Sequence, residues 1–407
     1  MNQIIHSAIY LGGNPNKEHI VEHLPNGGLV KDIYDLRNLK GAIYSNIALN
    51  AFIDEELRHE KYEINSGYNR ALATLSSGQQ KKALLMHLLS KNPDYIIVDN
   101  VFDNLDTASQ NALADSLTKI AAHTIIIQIL NRERDLLPFI NGIYTIENNN
   151  LVPYKNEAHK VHPFIGNIPE PFLHYQAEQN PLIQFNSVSV SYNEVPVLNN
   201  INWKINNGEF WQLIGPNGSG KSTILSLING DNPKAYGQNL ILFGRRKGSG
   251  ETVWDIKKKI GYFNSAMMQQ FDRLDSAENM IVAGFLDSIG LYEQPTDRQW
   301  TITHQWLQLL NLYNERKKHF RNFSMAQQRL ILIARAMVKH PPLLILDEPT
   351  AGLDDASAEL FTALVNKIAE ESTTAILYVS HRPEKGLAAK LIFELTPAAN
   401  GSIGNVF

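Results

Sequence analysis

Residues 215–223 read Gly-Pro-Asn-Gly-Ser-Gly-Lys-Ser-Thr and fit G-x-x-x-x-G-K-[ST] in full, with Gly215, Gly220, Lys221 and Ser222 at the fixed places. Such a loop leaves the surrounding chain little choice. A strand must deliver it and a helix must carry it away, so that backbone N–H groups and a helix N-terminus face a di- or triphosphate. The flanks comply: Phe210-Trp-Gln-Leu-Ile214 reads as a buried strand and Ile224-Leu-Ser-Leu-Ile228 as an opening helix. The glycines permit the tight turn, and Asn217, Gly218, Ser219 and Thr223 complete the cradle. Lys221 supplies a point charge for the outer phosphates, and the Ser222 hydroxyl is a ligand for Mg²⁺.

The chain also repeats itself. Leu75-Ser-Ser-Gly-Gln79, a helical run, Tyr95-Ile-Ile-Val-Asp99-Asn100 and Leu105-Asp106 find counterparts in Phe323-Ser-Met-Ala-Gln327, a helical run, Leu343-Leu-Ile-Leu-Asp347-Glu348 and Leu353-Asp354. Ser76 to Asp99 and Ser324 to Asp347 are both 23 positions, and Asp99 to Asp106 and Asp347 to Asp354 are both 7. A further 13 positions lead in each case to Lys-Ile-Ala. This is one unit written twice. In each copy an apolar, β-rich run ends in an aspartate, which is how a buried parallel strand delivers a carboxylate to a sheet edge. Strands alternating with helices predict an α/β sheet in each half. Between the halves, residues 151–181 carry five prolines and little apolar periodicity and read as a linker, so residues 1–150 and 182–407 are the two expected domains.

Composition removes several function classes. A net charge of −4 with no long run of like charge argues against a nucleic-acid arm or a polybasic membrane patch, and 43% hydrophobic residues suffice for two cores. With no cysteine, disulfides and thiol chemistry are excluded. The N-terminus lacks a cationic start and an apolar run, and apolar stretches such as Thr124 to Leu130 are far short of the ~20 residues that span a bilayer. A chain that stays in water, in the cytoplasm or peripheral at the inner face of a membrane, is expected.

Phosphate loop, L-S-x-G-Q element, hydrophobic-Asp-Glu strand and a later histidine together resemble the nucleotide-binding domain of ABC-type ATPases. Leu242-Phe-Gly-Arg-Arg246 and Gly248-Ser-Gly-Glu-Thr-Val-Trp-Asp-Ile256 resemble, more narrowly, the ModF-type molybdenum-transport ATP-binding proteins, some of which carry a photorepair label. The resemblance implies two P-loop domains in tandem, ATP and Mg²⁺ as ligands, and roles residue by residue. Tyr192, 29 residues before Lys221, would stack on adenine. Asp347 would join Ser222 at Mg²⁺. Glu348 would polarise the attacking water and His381 would face the γ-phosphate. Where the family carries a glutamine after Ile260-Gly-Tyr262, this chain has Ser265, with Gln269 and Gln270 further on.

In that family each nucleotide lies between one domain's phosphate loop and the other's L-S-x-G-Q, so the two halves here are not equivalent. The first keeps Ser76, Gly78 and Gln79, whereas Ala326 replaces the glycine in the second. Conversely the second keeps Glu348 and His381, where the first has Asn100 and Asn131. The losses are complementary, and one composite site is expected to survive. Counting back from Ser76 or Ser45 puts the first half's loop lysine at position 1 or earlier, and Leu11-Gly-Gly-Asn-Pro-Asn-Lys17 reads as a turn. The first half is therefore expected to be incomplete, its phosphate loop lost or preceding residue 1, and the less stable of the two.

Arg245-Arg246-Lys247 and Lys257-Lys258-Lys259 read as solvated faces, Trp203 and Trp211 as core, and His159, His162 and His174 as lacking metal-ligand spacing. Gly284 to Tyr292 falls where transport ATPases carry a helical subdomain, and either docks a membrane subunit or packs. The first reading is an ATP-hydrolysing energy-coupling protein whose nucleotide domains pair within one chain or between two. An ABC-type translation or nucleic-acid factor and a non-hydrolysing ATP-dependent switch are the alternatives.

Overall fold

The computed structural model describes residues 4–12, 20–21, 24, 30, 33–59, 62–64, 70–103, 105–148, 150–155, 164–172, 180–265, 267–270, 275–288, 290–381 and 383–407. The chain divides into two compact units, Met1–Lys160 with Gly352–Ser357, and Val161–Ala351 with Ala358–Phe407.

The first unit is built on β1 (Ser7–Tyr10), β2 (Gly41–Tyr44), β3 (Tyr95–Asp99), β4 (Ile125–Leu130), β5 (Gly142–Glu147) and β6 (Asn150–Pro153). Their order in the sheet is β2-β3-β4-β1-β5-β6, parallel except for the β5–β6 hairpin. Ile96, Ile97, Ile126, Ile127 and Ile129 are fully buried, as expected where helices cover both faces of a parallel sheet and an unbroken apolar run is favoured over alternation.

The second unit carries β9 (Phe210–Ile214), β12 (Ile260–Asn264), β13 (Leu343–Asp347), β14 (Ala375–Ser380), β15 (Leu391–Thr396) and β16 (Ile403–Val406), ordered β12-β13-β14-β9-β15-β16. The two orders are the same, so the repeat in the sequence is a repeat of topology. A second, antiparallel sheet belongs to this unit: β7 (Ile183–Tyr192), β8 (Val195–Ile205), β10 (Leu240–Leu242) and β11 (Arg245–Arg246), ordered β11-β10-β7-β8. Among the described residues the first unit has no counterpart of it. Trp203 and Trp211 lie in the core of the second unit, Trp203 stacked on Phe393 at 4.2 Å.

Three expectations change. Leu151–Pro153 is strand, not linker: β6 pairs with β5 through Ile146↔Leu151 and Tyr144↔Pro153. Further along, Ile168 N–H donates to Glu371 at 2.8 Å and Phe172 packs on Phe285, so this part of the proline-rich stretch is tied to the second unit. His159, His162 and His174 lie outside the described residues.

The search for the first unit's loop lysine was also misplaced. β1 pairs with β4 as β9 pairs with β14, with Tyr10↔Leu130 matching Ile214↔Ser380. Lys221 is seven residues after Ile214, and seven residues after Tyr10 stands Lys17. The count failed because it assumed equal lengths: 31 positions separate Tyr10 from Gly41, where 46 separate Ile214 from Ile260. Lys17 and its neighbours 13–19 are outside the described residues.

Third, Lys247 is not solvated. Its side chain is buried, 4.0 Å from Glu251 and against the Tyr236 ring, while Arg245 and Arg246 are exposed.

Candidate active site

The phosphate loop joins β9 to the helix Lys221–Ile228. Gly220 caps that helix in the left-handed region (φ +94°), and a Cβ there would come 2.7 Å from Leu198, so both backbone and packing require glycine. The Lys221 ammonium is drawn over the loop, 2.6 Å from the Gly215 carbonyl and 3.0 Å from that of Pro216. Ser219 is buried, and its hydroxyl has no hydrogen-bond partner among the described residues. Ser222 is exposed and Thr223 half-buried.

β13 runs between β12 and β14, and its Leu343-Leu-Ile-Leu346 are fully buried. The strand spends its apolar residues inside the sheet and presents Asp347 and then Glu348 at its carboxyl end, where ligands of such sheets bind. β14 ends one residue before His381. The imidazole joins the two sequence-predicted groups: its Nδ1 is 3.2 Å from Lys221 Nζ and its Nε2 is 2.5 Å from Glu348 Oε1. Since an ammonium only donates and a carboxylate only accepts, the partners assign the proton to Nε2 and the lone pair to Nδ1.

The carboxyls are tuned apart. Burial, and then the charge of neighbouring Glu348, pushes Asp347 up to about 6, with Tyr262, Lys221 and His381 pulling the other way. Burial also pushes Glu348 up, but the hydrogen bond and charge of His381, with the charge of Lys221, hold it below its ordinary value. Glu348 is thus the more acidic of the two carboxyls and is ionised at neutral pH. It sits in the left-handed region at φ +47°, where only a few per cent of non-glycine residues are found.

Tyr262 is a residue that sequence spacing does not single out. Its hydroxyl donates to Asp347 Oδ2 at 3.3 Å, and burial with the Asp347 charge pushes the phenol up to about 12. The β12–β13 pairing that brings it there is a tertiary fact. Asn264, beside Asp347 in that register, accepts the Met267 N–H at 2.8 Å. Ser265 follows it, half-buried, and the side chains of Gln269 and Gln270 lie outside the described residues.

Ser222, Tyr262, Asn264 and Asp347 line one cavity of about 600 Å³. One carboxylate and one hydroxyl, all oxygen, form the donor set that suits Mg²⁺, which takes few protein ligands and completes its shell with water and phosphate. No group of three or more carboxylates and histidines that could hold a metal occurs among the described residues. Tyr192, on β7, is partly exposed and accepts a hydrogen bond from Asn232 Nδ2 at 2.7 Å, which orients the ring.

In the first unit the corresponding strand end keeps its aspartate but has amides in place of the glutamate and the histidine. Asn100 Nδ2 donates to Asp99 at 3.0 Å, and its Oδ1 accepts the Asn131 N–H at 2.9 Å. These two amides fill the places of Glu348 and His381 with satisfied neutral contacts and offer no base. Ser76 caps the helix Ser77–Ser90 in a capping box with Gln79, at 3.3 and 3.1 Å. Ser324 and Gln327 repeat it on the helix Met325–Met337, at 3.2 and 3.1 Å. Gln79 therefore spends its carbonyl oxygen on the cap, whereas Ser76 is exposed and its O–H remains a donor. Gly78 is in the first turn, and a Cβ there would come 3.3 Å from Ser109 Oγ. Gly284, in the stretch read as docking or packing, lies so near the Arg335 carbonyl that a Cβ would approach to 2.2 Å; that end of the stretch packs.

Known proteins resemble this chain in sequence and fold. The ABC transporter family model matches residues 198–351. The ABC transporter ATP-binding protein ModF of Escherichia coli is 40% identical over 343 residues, 80% of this chain and 70% of that protein. An uncharacterized ABC transporter ATP-binding protein of Schizosaccharomyces pombe is 27% identical over 322 residues, 76% of this chain and 66% of its own length. Among solved structures, cbiO1 of Clostridium perfringens, part of an ABC transporter complex, covers 55% of this chain and 86% of its own at 23% identity with a TM-score of 0.48. The chain belongs to the ABC-transporter family of ATP-binding proteins.

Proposed function

We propose that the chain is an ATP hydrolase with one competent composite site, made of the phosphate loop, Glu348 and His381 of the second unit and Ser76, Gly78 and Gln79 of the first. The observation that carries this reading is the hydrogen-bonded series Lys221–His381–Glu348 beside Asp347. Tyr192 stacks on adenine, and the loop N–H groups with Lys221 hold the phosphates. Ser222 and Asp347 hold Mg²⁺, which when bound neutralises charge on the phosphate oxygens. Glu348, ionised, orients a water and takes its proton as the water oxygen bonds to the γ-phosphorus; the bond to the β–γ bridging oxygen breaks and ADP leaves. His381, through its Nε2–H, keeps Glu348 aimed, with the imidazole facing the γ-phosphate. The Ser76 hydroxyl and the helix N-terminus at Gly78 complete the anion site, a place where Ala326 of the other copy would set a methyl group.

The coupling partner is proposed to be a membrane subunit for molybdate-type uptake, met at the cytoplasmic face; the ModF-like relative and the 242–256 stretch support this. Among the described residues no helix is long and apolar enough to cross a membrane. Steady-state ATP turnover of the purified chain at several concentrations tests the reading. A specific rate independent of concentration means pairing within one chain, a rate that climbs with it means pairing between chains, and bound ATP without turnover overturns hydrolysis in favour of a switch.

A further inference from the structure

Each unit must hold the turn that follows its strand-end aspartate, and part of the means is common to both. In the second unit the buried Arg329 guanidinium donates to the carbonyls of Pro349, at 2.5 Å, and Ala351. In the first, the buried Lys81 ammonium donates to Val101 at 2.7 Å and Asp103 at 2.6 Å. Both cations stand five residues after the capping serine, and both reach carbonyls two and four residues after the aspartate. Since the first unit keeps this clamp without a base or a histidine, the clamp serves the fold.

A second tie is found, among the described residues, in the second unit. The Thr350 hydroxyl donates to Glu384 Oε2 at 2.7 Å and lies 3.2 Å from the Tyr378 hydroxyl. A hydroxyl has one proton, so Tyr378 O–H is the donor in the second contact. Thr350 is two residues beyond Glu348, Glu384 is three beyond His381, and Tyr378 stands on β14. At the matching positions the first unit has Phe102, Arg134 and Gln128, and Gln128 instead donates to the Asp135 carbonyl. The turn carrying the base and the loop carrying the histidine are thus pinned to each other by one hydroxyl in the second unit.

We propose that Thr350 and Glu384, with Tyr378, are positioning residues that hold Glu348 and His381 in register for ATP hydrolysis. This rests on the hydrolytic reading above. None of the three touches the reacting atoms; they fix the distance between two backbone segments whose side chains must meet within a few tenths of an ångström.

Thr350→Val keeps the volume and removes the hydroxyl, Thr350→Ser restores the hydroxyl alone, and Glu384→Gln keeps an acceptor without the charge. Thr350→Val is expected to lower kcat about 10-fold or more while KM for ATP stays within about twofold, and Thr350→Ser and Glu384→Gln to recover most of the rate. In a Glu348→Gln background Thr350→Val should add no further loss, because a positioner has nothing left to position. Amide hydrogen exchange supplies an arm free of turnover: peptides covering 347–353 and 383–388 should loosen together in Thr350→Val, with the rest of the unit unchanged. An unaltered kcat, or equal losses in both backgrounds, overturns the proposal. If wild type turns over no ATP, the hydrolytic reading falls, and the exchange arm alone decides whether the tie joins the two loops.

Discussion

His381 Nε2 lies 2.5 Å from Glu348 Oε1, so the imidazole and the carboxylate of the strand end form one unit of charge and hydrogen bonding. The first unit has Asn131 and Asn100 in those places. Hydrolysis should follow this difference. Glu348→Gln keeps the shape and the hydrogen-bonding reach but removes the acceptor of the water's proton. Turnover is expected to fall by roughly 10²–10⁴-fold with ATP affinity kept within a few-fold, measured by phosphate release beside equilibrium binding.

If the proposed composite site is right, Gly78→Asp places a carboxylate at the γ-phosphate. Its Cβ would come 3.3 Å from Ser109 Oγ, a contact relieved by a small shift of one hydroxyl, so the fold should tolerate it. Turnover is expected to fall by about 10²-fold or more, the loss seen when a transition-state donor is removed, with thermal unfolding nearly unmoved. Ala326→Asp should leave turnover within about twofold. Comparable damage from the two substitutions would sink the asymmetry.

Tyr192 separates stacking from hydrogen bonding. Tyr192→Ala should weaken ATP binding by about 1–3 kcal/mol, the range for an aromatic stacked on a base. Tyr192→Phe loses only the Asn232 contact and should stay within about threefold. A fluorescent ATP analogue titrated into each variant reads both numbers.

Lys81 predicts a pH dependence of the first unit. Burial lowers its ammonium from its ordinary 10.5 to about 8, Asp103 and Asp99 pulling the other way. Between those values the unfolded chain keeps a proton that the folded chain has released, so unfolding takes one up and stability rises with pH. The gain is on the order of 1–3 kcal/mol from pH 8 towards 10. Above about 10 the buried Tyr10 and Tyr44 and the half-buried Tyr154, all pushed up by desolvation, act in the opposite sense. Amide exchange of the first unit across pH 7.5–10 should show this rise in wild type. It should be absent in Lys81→Arg, whose guanidinium stays charged and occupies the clamp as Arg329 does.

The fold class was legible because its signals are local: a phosphate loop, apolar runs ending in aspartate, and equal spacings between the halves. Lys221 followed from the phosphate-loop pattern, and Asp347, Glu348 and His381 from the resemblance to ABC-type ATPases; the strand order brings them together. Tyr262 and the Thr350–Glu384 tie were not legible, since each depends on which strands and loops are neighbours. The place of the first unit's loop lysine was miscounted for a related reason: sequence spacing survives duplication only where no segment between the markers has changed length. Lys247 looked solvated because it follows two exposed arginines, and its burial under Tyr236 is set by packing.

Asn100 and Glu348 share a left-handed backbone, at φ +40° and +47°. Asparagine accepts that conformation readily, whereas for glutamate it costs on the order of 1 kcal/mol. The first copy thus holds at this bend the residue its backbone prefers. In the second, under the proposed reading, the same bend carries a strained glutamate because that residue is the base.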